Sequence, residues 1–220
     1  MESSRPTFNS KSNKRKIFIV IKSRINGLLI SAGYSGRMGQ FKPLMLYNGK
    51  EFVVNIVEKL LAVCEKVVVV TGFQKEKIEA LINSQFSIIN SQLFKKVEFV
   101  FNPNFDQGMF TSLQTGLAEL KDSDWVLYHF VDQPFHEEKF YEEFISQIDG
   151  NYDWIQPSYN GKEGHPILFG KNVYNKILKA ETSSSLRLIR DREDIKKKSW
   201  ECNYSKILND LDTAEDMLKL

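Results

Sequence analysis

The feature that most constrains this chain is a short apolar run followed at once by three glycines and two cations. Leu28–Ile30 predicts a buried strand, and it leads into Ser31-Ala32-Gly33-Tyr34-Ser35-Gly36-Arg37-Met38-Gly39 and then Lys42. Glycine lets a backbone approach a ligand closely, and consecutive N–H groups in such a loop form a concave site for an anion. Arg37 and Lys42 add the positive charge that phosphate oxygens bind. The pattern predicts a polyphosphate site.

The glycine spacing excludes two familiar phosphate motifs. No Gly-Lys-Ser/Thr ending follows, so the loop is not the usual P-loop. The glycines at 33, 36 and 39 do not give the dinucleotide pattern G-x-G-x-x-G. A plain surface turn between a strand and a helix is the alternative, and the two cations favour phosphate binding over it.

Charge and composition limit the classes of protein that fit. Residues 1–24 carry seven basic side chains against Glu2, a balance of +6, which leaves −4 for the rest of a chain whose net charge is +2. We expect a basic, disordered extension over 1–24 and a single domain over 25–220. The mildly acidic body offers no broad basic face for nucleic acid, and no apolar run approaches the roughly 20 residues that span a membrane. Cys64 and Cys202 form no disulfide framework, so a cytoplasmic location is expected.

Strands and helices alternate along the first 150 residues. This rhythm predicts right-handed βαβ units and a mainly parallel sheet. The predicted strands cover 27–31, 66–71, 97–101, 125–131, 154–157, 165–169 and 207–208, with an optional edge strand at 17–21. The predicted helices follow the glycine loop and cover 75–83, 109–120, 136–148, 171–179, 184–192 and a stretch from Ala214.

Several polar residues follow predicted strands and so belong at one edge of the sheet. Asp132 comes directly after the fourth strand, where a carboxylate is a natural Mg²⁺ ligand near phosphates, or a helix cap. Asp212 has the same two interpretations. Gly108 and Ser112 follow the third strand and could line a base and ribose pocket, or serve as loop and cap. His165, in Gly164-His165-Pro166, is either a catalytic group or part of a structural turn.

These motifs, taken in order, resemble a known family. The opening loop with Lys42-Pro43-Leu44, then Asn102 with Gly108 and Ser112, Asp132-Gln133-Pro134, Gly164-His165-Pro166 and Asp210-Leu211-Asp212-Thr213 are similar to those of the molybdenum cofactor nucleotidyltransferases, across about 26–220. The cytidylyltransferase branch is the nearer one. The guanylyltransferase branch usually has a glycine where Ala32 stands. Ala214 departs from the usual proline.

The resemblance implies a fold, a reaction and a role for each matched residue. The fold would be an α/β three-layer sandwich with a Rossmann-like sheet, of the nucleotide-diphospho-sugar transferase type. The matched residues would act as follows: Ser31, Ala32, Gly33, Tyr34, Ser35, Gly36, Gly108 and Ser112 bind the nucleotide, Arg37 and Lys42 neutralise the triphosphate, Asp132 and Asp212 hold Mg²⁺, and Gly164 and His165 face the acceptor.

The implied reaction transfers CMP from CTP to the terminal phosphate of a phosphorylated pterin cofactor. A molybdenum hydroxylase or its maturation factor is an expected protein partner. Three alternatives stay open: a GTP-dependent guanylyltransferase, a transferase acting on a sugar or alditol phosphate, and a non-catalytic chaperone for the matured cofactor. The joint presence of Arg37, Lys42, Asp132 and Asp212 favours an enzyme over the chaperone.

Overall fold

The computed structural model describes residues 23–35, 40–89, 92 and 95–211, and its core is one twisted sheet. The strands are β1 Ile25–Ser31, β2 Leu46–Tyr47, β3 Lys50–Glu51, β4 Val67–Thr71, β5 Val97–Phe101, β6 Trp125–Phe130, β7 Trp154–Tyr159, β8 Lys162–Glu163, β9 Ile167–Gly170 and β10 Lys197–Glu201. The helices are α1 Phe52–Val63, α2 Lys75–Ile89, α3 Met109–Ala118, α4 Glu138–Ile145, α5 Lys171–Lys179 and α6 Leu186–Arg190.

The main sheet has the order β10-β7-β9-β6-β1-β4-β5, and β8 pairs with β7 as a hairpin. The β5-β4-β1-β6 block is parallel throughout, and β7 and β10 form a second parallel pair. Between these blocks β9 runs antiparallel to both neighbours. The predicted mainly parallel sheet is therefore confirmed.

Alternate residues of the strands pack into two separate cores, one on each face of the sheet. Leu29 faces α1, α2 and α4, whereas Leu28 and Ile30 face α3, α5 and α6. The continuous valine run in β4 is buried on both faces for this reason. The result is the predicted three-layer sandwich.

Several predicted elements differ from the structure; among them, helix α4 covers Glu138–Ile145 rather than the predicted 136–148. The chain at 205–208 is a 3₁₀ turn rather than a strand, and β10 was not predicted. Helix α2 continues to Ile89, and α6 is shorter than the predicted 184–192. The optional strand at 17–21 and the helix from Ala214 lie outside the described residues.

Within the part of the chain that the structure describes, no helix is both long enough and apolar enough to cross a membrane.

Candidate nucleotide site

The candidate site lies where the order of the parallel strands reverses. From β1 the chain moves outward to β4 and β5, then returns to β6 on the other side of β1. Ligands of such sheets bind in the crevice beyond the strand ends at this switch point. A cavity of about 220 Å³ is found there. Its lining includes Ser31 and Gly33 after β1, Ser112 on α3 and Asp132 after β6, so the predicted common edge is confirmed.

The first half of the glycine loop reaches this cavity through Ser31, Gly33 and Ser35, whereas Ala32 and Tyr34 are not among the lining residues. The carbonyl of Ala32 accepts a hydrogen bond of 3.0 Å from the N–H of Phe73. Ser35 has a positive φ of 56°, and its Oγ accepts a hydrogen bond of 3.1 Å from the N–H of Lys42. The Ser31 side chain is buried, and its hydroxyl has no hydrogen-bond partner among the described residues. A hydroxyl left in that state is available to a ligand.

Two aromatic rings that sequence reasoning missed support the loop. Tyr34 is exposed, and its ring lies 5.0 Å from Phe73 and 5.2 Å from Phe105. Gly72 makes this approach possible, because a Cβ there would lie 2.6 Å from the carbonyl oxygen of Ala32 and 2.7 Å from Phe105. A glycine at the end of β4 is the sequence signal that could have found this contact.

Lys42 and Asp132 form the charged part of the site. The Lys42 ammonium lies 3.3 Å from the Asp132 carboxylate, and the Lys42 side chain is only 10% exposed. Burial raises the pKa of Asp132, the Lys42 charge opposes that rise, and Asp210 adds to it. A buried cation next to a carboxylate gives the cavity both a phosphate-binding group and a cation-binding group.

Asn102 fixes the start of α3, where Gly108 and Ser112 lie. Its side-chain amide donates hydrogen bonds of 2.9 Å to the hydroxyls of Thr111 and Ser112. Gly108 has φ 113° and no atom within 4 Å of an added Cβ, so the backbone there is open on one side. Ser112 is brought to the cavity with Asp132, as predicted, whereas Gly108 lines a neighbouring pocket.

The loop after β6 is held by three hydrogen bonds from two segments of the chain. The carbonyl of Asp132 accepts a hydrogen bond of 3.2 Å from the N–H of Leu211. The side chain of Gln133 donates to the Asp210 carboxylate. The Lys59 ammonium donates a hydrogen bond of 3.0 Å to the carbonyl of Pro134, and burial lowers the pKa of Lys59 to about 8. The position of Asp132 is therefore set by α1 and by the chain before residue 212.

His165 lies beside the end of β6 and Gly164 packs against Ile207, and neither residue is in the cavity lining. The His165 ring packs edge-on against Phe130 at 4.9 Å, and its Nδ1 is buried without a hydrogen-bond partner in the described chain. Burial lowers the pKa of His165, and Asp210 opposes this shift. The imidazole is therefore neutral near pH 7. His129 is a buried core residue, and its ring is hydrogen-bonded to the Tyr141 hydroxyl at 2.8 Å.

Three of the predicted site residues lie outside the described residues: Gly36, Arg37 and Asp212. Among the residues that are described, no group of three or more His, Cys, Asp and Glu side chains is arranged to hold a metal ion. The carboxylate of Asp132 is thus the acidic group that the structure places in the cavity.

Known proteins resemble this chain in sequence and in fold. Molybdenum cofactor cytidylyltransferase of Escherichia coli K12 is 24% identical over 199 residues, which cover 89% of this chain and 95% of the relative. A probable molybdenum cofactor guanylyltransferase of Bacillus cytotoxicus is 28% identical over 158 residues, covering 70% and 73%. Rv0371C of Mycobacterium tuberculosis H37Rv, solved in complex with manganese, is 16% identical with a TM-score of 0.69, covering 90% of this chain and 98% of that one.

The model of one family matches residues 27–196, which contain the glycine loop, Lys42, Asp132 and the Gly164-His165 turn. The matched segment is well over half of the chain and includes seven of the eight strands of the main sheet in full or in greater part. This chain therefore belongs to the family of the MobA-like NTP transferase domain.

Proposed function

We propose that this protein transfers CMP from CTP to the terminal phosphate of molybdenum cofactor and releases pyrophosphate. The observation that carries the proposal is the Lys42–Asp132 pair, 3.3 Å apart, in the cavity at the switch point. A polyphosphate and a divalent cation are the ligands that such a pair favours. The named activities of the relatives from Escherichia coli and Bacillus supply the reaction class.

In the proposed reaction, an oxygen of the acceptor phosphate attacks the α-phosphorus of CTP. A new P–O bond forms, the bond from the α-phosphorus to the bridging oxygen breaks, and the electron pair leaves with pyrophosphate. The loop from Ser31 to Ser35 and the ammonium of Lys42 would hold the triphosphate and stabilise the leaving charge. Ser112 would orient the nucleoside from α3. A phosphate monoester is already anionic near neutral pH, so we assign no general base.

The residues present fit a magnesium ion. Mg²⁺ is usually held by one or two carboxylates together with substrate phosphates. Asp132 offers one such carboxylate, and burial has already made its ionised form unfavourable without a nearby cation. Asp132 would hold the ion together with Asp212. When bound, Mg²⁺ would stabilise negative charge on the phosphates.

Ala32 supports CTP over GTP. It is 2% exposed, lies directly after β1 and has its carbonyl occupied by Phe73. Its methyl group packs in the core on the α3 face of the sheet and is not part of the cavity lining. The preference for CTP therefore rests on the resemblance, in which a glycine at this position leaves room for a guanine. Guanylyl transfer is the second candidate, because the Bacillus relative is named for it. Sugar or alditol phosphate acceptors and a cofactor chaperone remain the further alternatives, and a molybdenum hydroxylase or its maturation factor is the proposed protein partner.

Pyrophosphate release tests the proposal. The purified protein is given molybdenum cofactor as acceptor, Mg²⁺, and CTP, GTP, ATP or UTP in turn. We expect release with CTP and none without Mg²⁺. Asp132→Asn should lower turnover by about 10²-fold or more. The matched control is Asp122→Asn, an exposed carboxylate before the opposite end of β6, which should keep full activity.

The outcomes separate the candidates. Release of pyrophosphate with GTP alone would identify GTP, rather than CTP, as the nucleotide substrate and would overturn the argument from Ala32. Tight cofactor binding without release for any nucleotide would favour the chaperone. Substantial activity in Asp132→Asn with an unchanged melting temperature would remove Asp132 from the mechanism.

A further inference from the structure

A second pocket adjoins the candidate nucleotide cavity. It has a volume of about 280 Å³ and lies between the start of α3 and the chain before α6. Met109, which is 53% exposed, lines both pockets. The two spaces therefore meet at one flexible side chain. We call the second pocket the α3–α6 pocket.

The α3–α6 pocket differs from its neighbour in charge. The first cavity contains Lys42 and Asp132, whereas none of the described residues lining the α3–α6 pocket has a charged side chain. Its walls combine the apolar side chains of Phe110, Leu113 and Leu186 with a run of four hydroxyl residues at 182–185. Such a surface suits an uncharged ring system with hydrogen-bonding groups at its edge.

Tyr128 supplies a polar group that the fold does not use. It lies in β6, is 0% exposed and contributes to the lining of the α3–α6 pocket. Its hydroxyl has no hydrogen-bond partner among the described residues. The two other fully or nearly buried tyrosines differ: Tyr141 bonds to His129, and Tyr174 donates to the carbonyls at 121 and 123. Burial of an unpartnered hydroxyl is unfavourable, so a bound ligand that accepts its hydrogen would be stabilised.

The ring of Tyr128 is held in place by its neighbours. It packs against Phe130 at 4.7 Å and Phe169 at 6.0 Å. Burial, with a contribution from Asp132, raises the pKa of Tyr128, so the phenol stays neutral and able to donate. Tyr128 and Asp132 are four residues apart, which places their Cα atoms within about 14 Å. One phosphorylated molecule could therefore contact both.

We propose that the α3–α6 pocket receives the uncharged heterocycle of the acceptor, with the Tyr128 hydroxyl donating to a ring nitrogen or carbonyl. The acceptor's phosphate then extends past Met109 to Lys42 and Asp132. This inference rests on the proposed function and adds where the ring of the acceptor binds. The base of the nucleotide is the other uncharged ring available, and the experiment distinguishes the two.

Tyr128→Phe removes the hydroxyl and keeps the ring. The matched control is Tyr174→Phe, which removes a buried hydroxyl that has backbone partners and lies outside both pockets. We expect Tyr128→Phe to raise the KM for molybdenum cofactor by about 3- to 10-fold, the value of one neutral hydrogen bond, with the KM for CTP unchanged. Its melting temperature should equal or exceed that of the wild type, because an unpartnered group is lost. Tyr174→Phe should lower the melting temperature and leave both KM values unchanged.

Each result has a distinct meaning. An unchanged KM for molybdenum cofactor in Tyr128→Phe, with an active wild type, overturns this inference and leaves the proposed function intact. A raised KM for CTP alone assigns the pocket to the nucleotide base and also overturns it. Absence of pyrophosphate release by the wild type, despite stabilisation by CTP, overturns the proposed function and this inference together.

Discussion

Gly164 is packed so closely that adding one methyl group should destabilise the whole domain. An ideal Cβ at this position lies 2.4 Å from the carbonyl oxygen of Ile207 and 2.8 Å from its carbonyl carbon, where real Cβ contacts essentially never fall below 3.0 Å. The two backbone segments would have to separate by about 0.6 Å. They are held by hydrogen bonds on both sides: Gly164 donates to Pro157 at 2.8 Å, and His165 donates to Ile207 at 3.0 Å.

The expected cost of Gly164→Ala follows from these contacts. Overpacking costs about 1–3 kcal/mol, and weakening the bond from His165 to Ile207 adds about 1 kcal/mol, for a total of about 2–4 kcal/mol. Because the contacted atoms belong to the backbone, no side-chain rotation relieves the overlap. The 3₁₀ turn at 205–208 leads directly to Asp210 and Leu211, which brace the Asp132 loop. Activity should therefore fall together with stability.

Urea denaturation measures the effect. With an m-value of about 2–3 kcal/mol per molar, the midpoint should fall by about 1 M. The three tryptophans and far-ultraviolet circular dichroism give two probes of the transition, and their coincidence tests two-state unfolding. Gly150→Ala is the matched control, because an added Cβ there meets no atom within 4 Å. If the two variants unfold at the same urea concentration, the close packing of Gly164 against Ile207 is refuted.

Three further perturbations give measurable outcomes. Lys42→Met should raise the pKa of Asp132 further, because the lysine charge is the largest influence that lowers it; a carboxyl-carbon NMR titration measures this, and an unchanged value would contradict the ion pair. Lowering the pH from 7 to 5 should cost about 2 kcal/mol of stability through His129 alone. Burial lowers the pKa of His129 in the folded state to about 3, so at pH 5 the unfolded chain binds a proton that the folded chain does not. The raised pKa of Asp132 partly offsets this loss of stability. Equal urea midpoints at pH 7 and pH 5 would contradict the expected effect of His129. Gly116→Ala should cost about 1–3 kcal/mol by calorimetry, since its Cβ would lie 2.3 Å from Leu28; a melting temperature equal to that of the wild type would show that the core has room.

The strands and helices that carry the candidate site could be predicted from the sequence. The valine run of β4 and the apolar stripe of α1 are long and unambiguous. The kind of element and its position in the chain could therefore be predicted from hydrophobic periodicity. The edge of the sheet shared by Ser31 and Asp132 followed from the order of strands and helices alone. Strand β10 was not predicted because none of its residues, Lys197–Glu201, is buried, and the segment therefore lacks an apolar strand pattern. Its place in the sheet is determined by pairing with β7, which is a tertiary contact.

Other parts of the site could not be predicted because they depend on residues far apart in the chain. The ion pair between Lys42 and Asp132 joins positions 90 residues apart. The contact of Gly72 with Ala32 joins two loops that no local pattern connects. Two hairpins, β2–β3 and β7–β8, turn at Asn-Gly pairs, at 48–49 and 160–161, and all four of these residues have positive φ. Asn-Gly is a sequence signal for a hairpin turn, and strand periodicity alone does not reveal it.

The reversed strand β9 divides the sheet of this protein into two parts. Within the described sheet it is the strand hydrogen-bonded to both parallel blocks, so it lies between the strands that carry the loops after β1 and β5 and the pair formed by β7 and β10. Among the described strands, β7, β8 and β10 form no ladder with β1, β4, β5 or β6, so we expect changes in their length and chemistry to leave the strand that carries the Ser31 loop in place. A new acceptor could thus be recruited in evolution by rebuilding one side of the domain, while the machinery proposed for the nucleotide is inherited unchanged on the other.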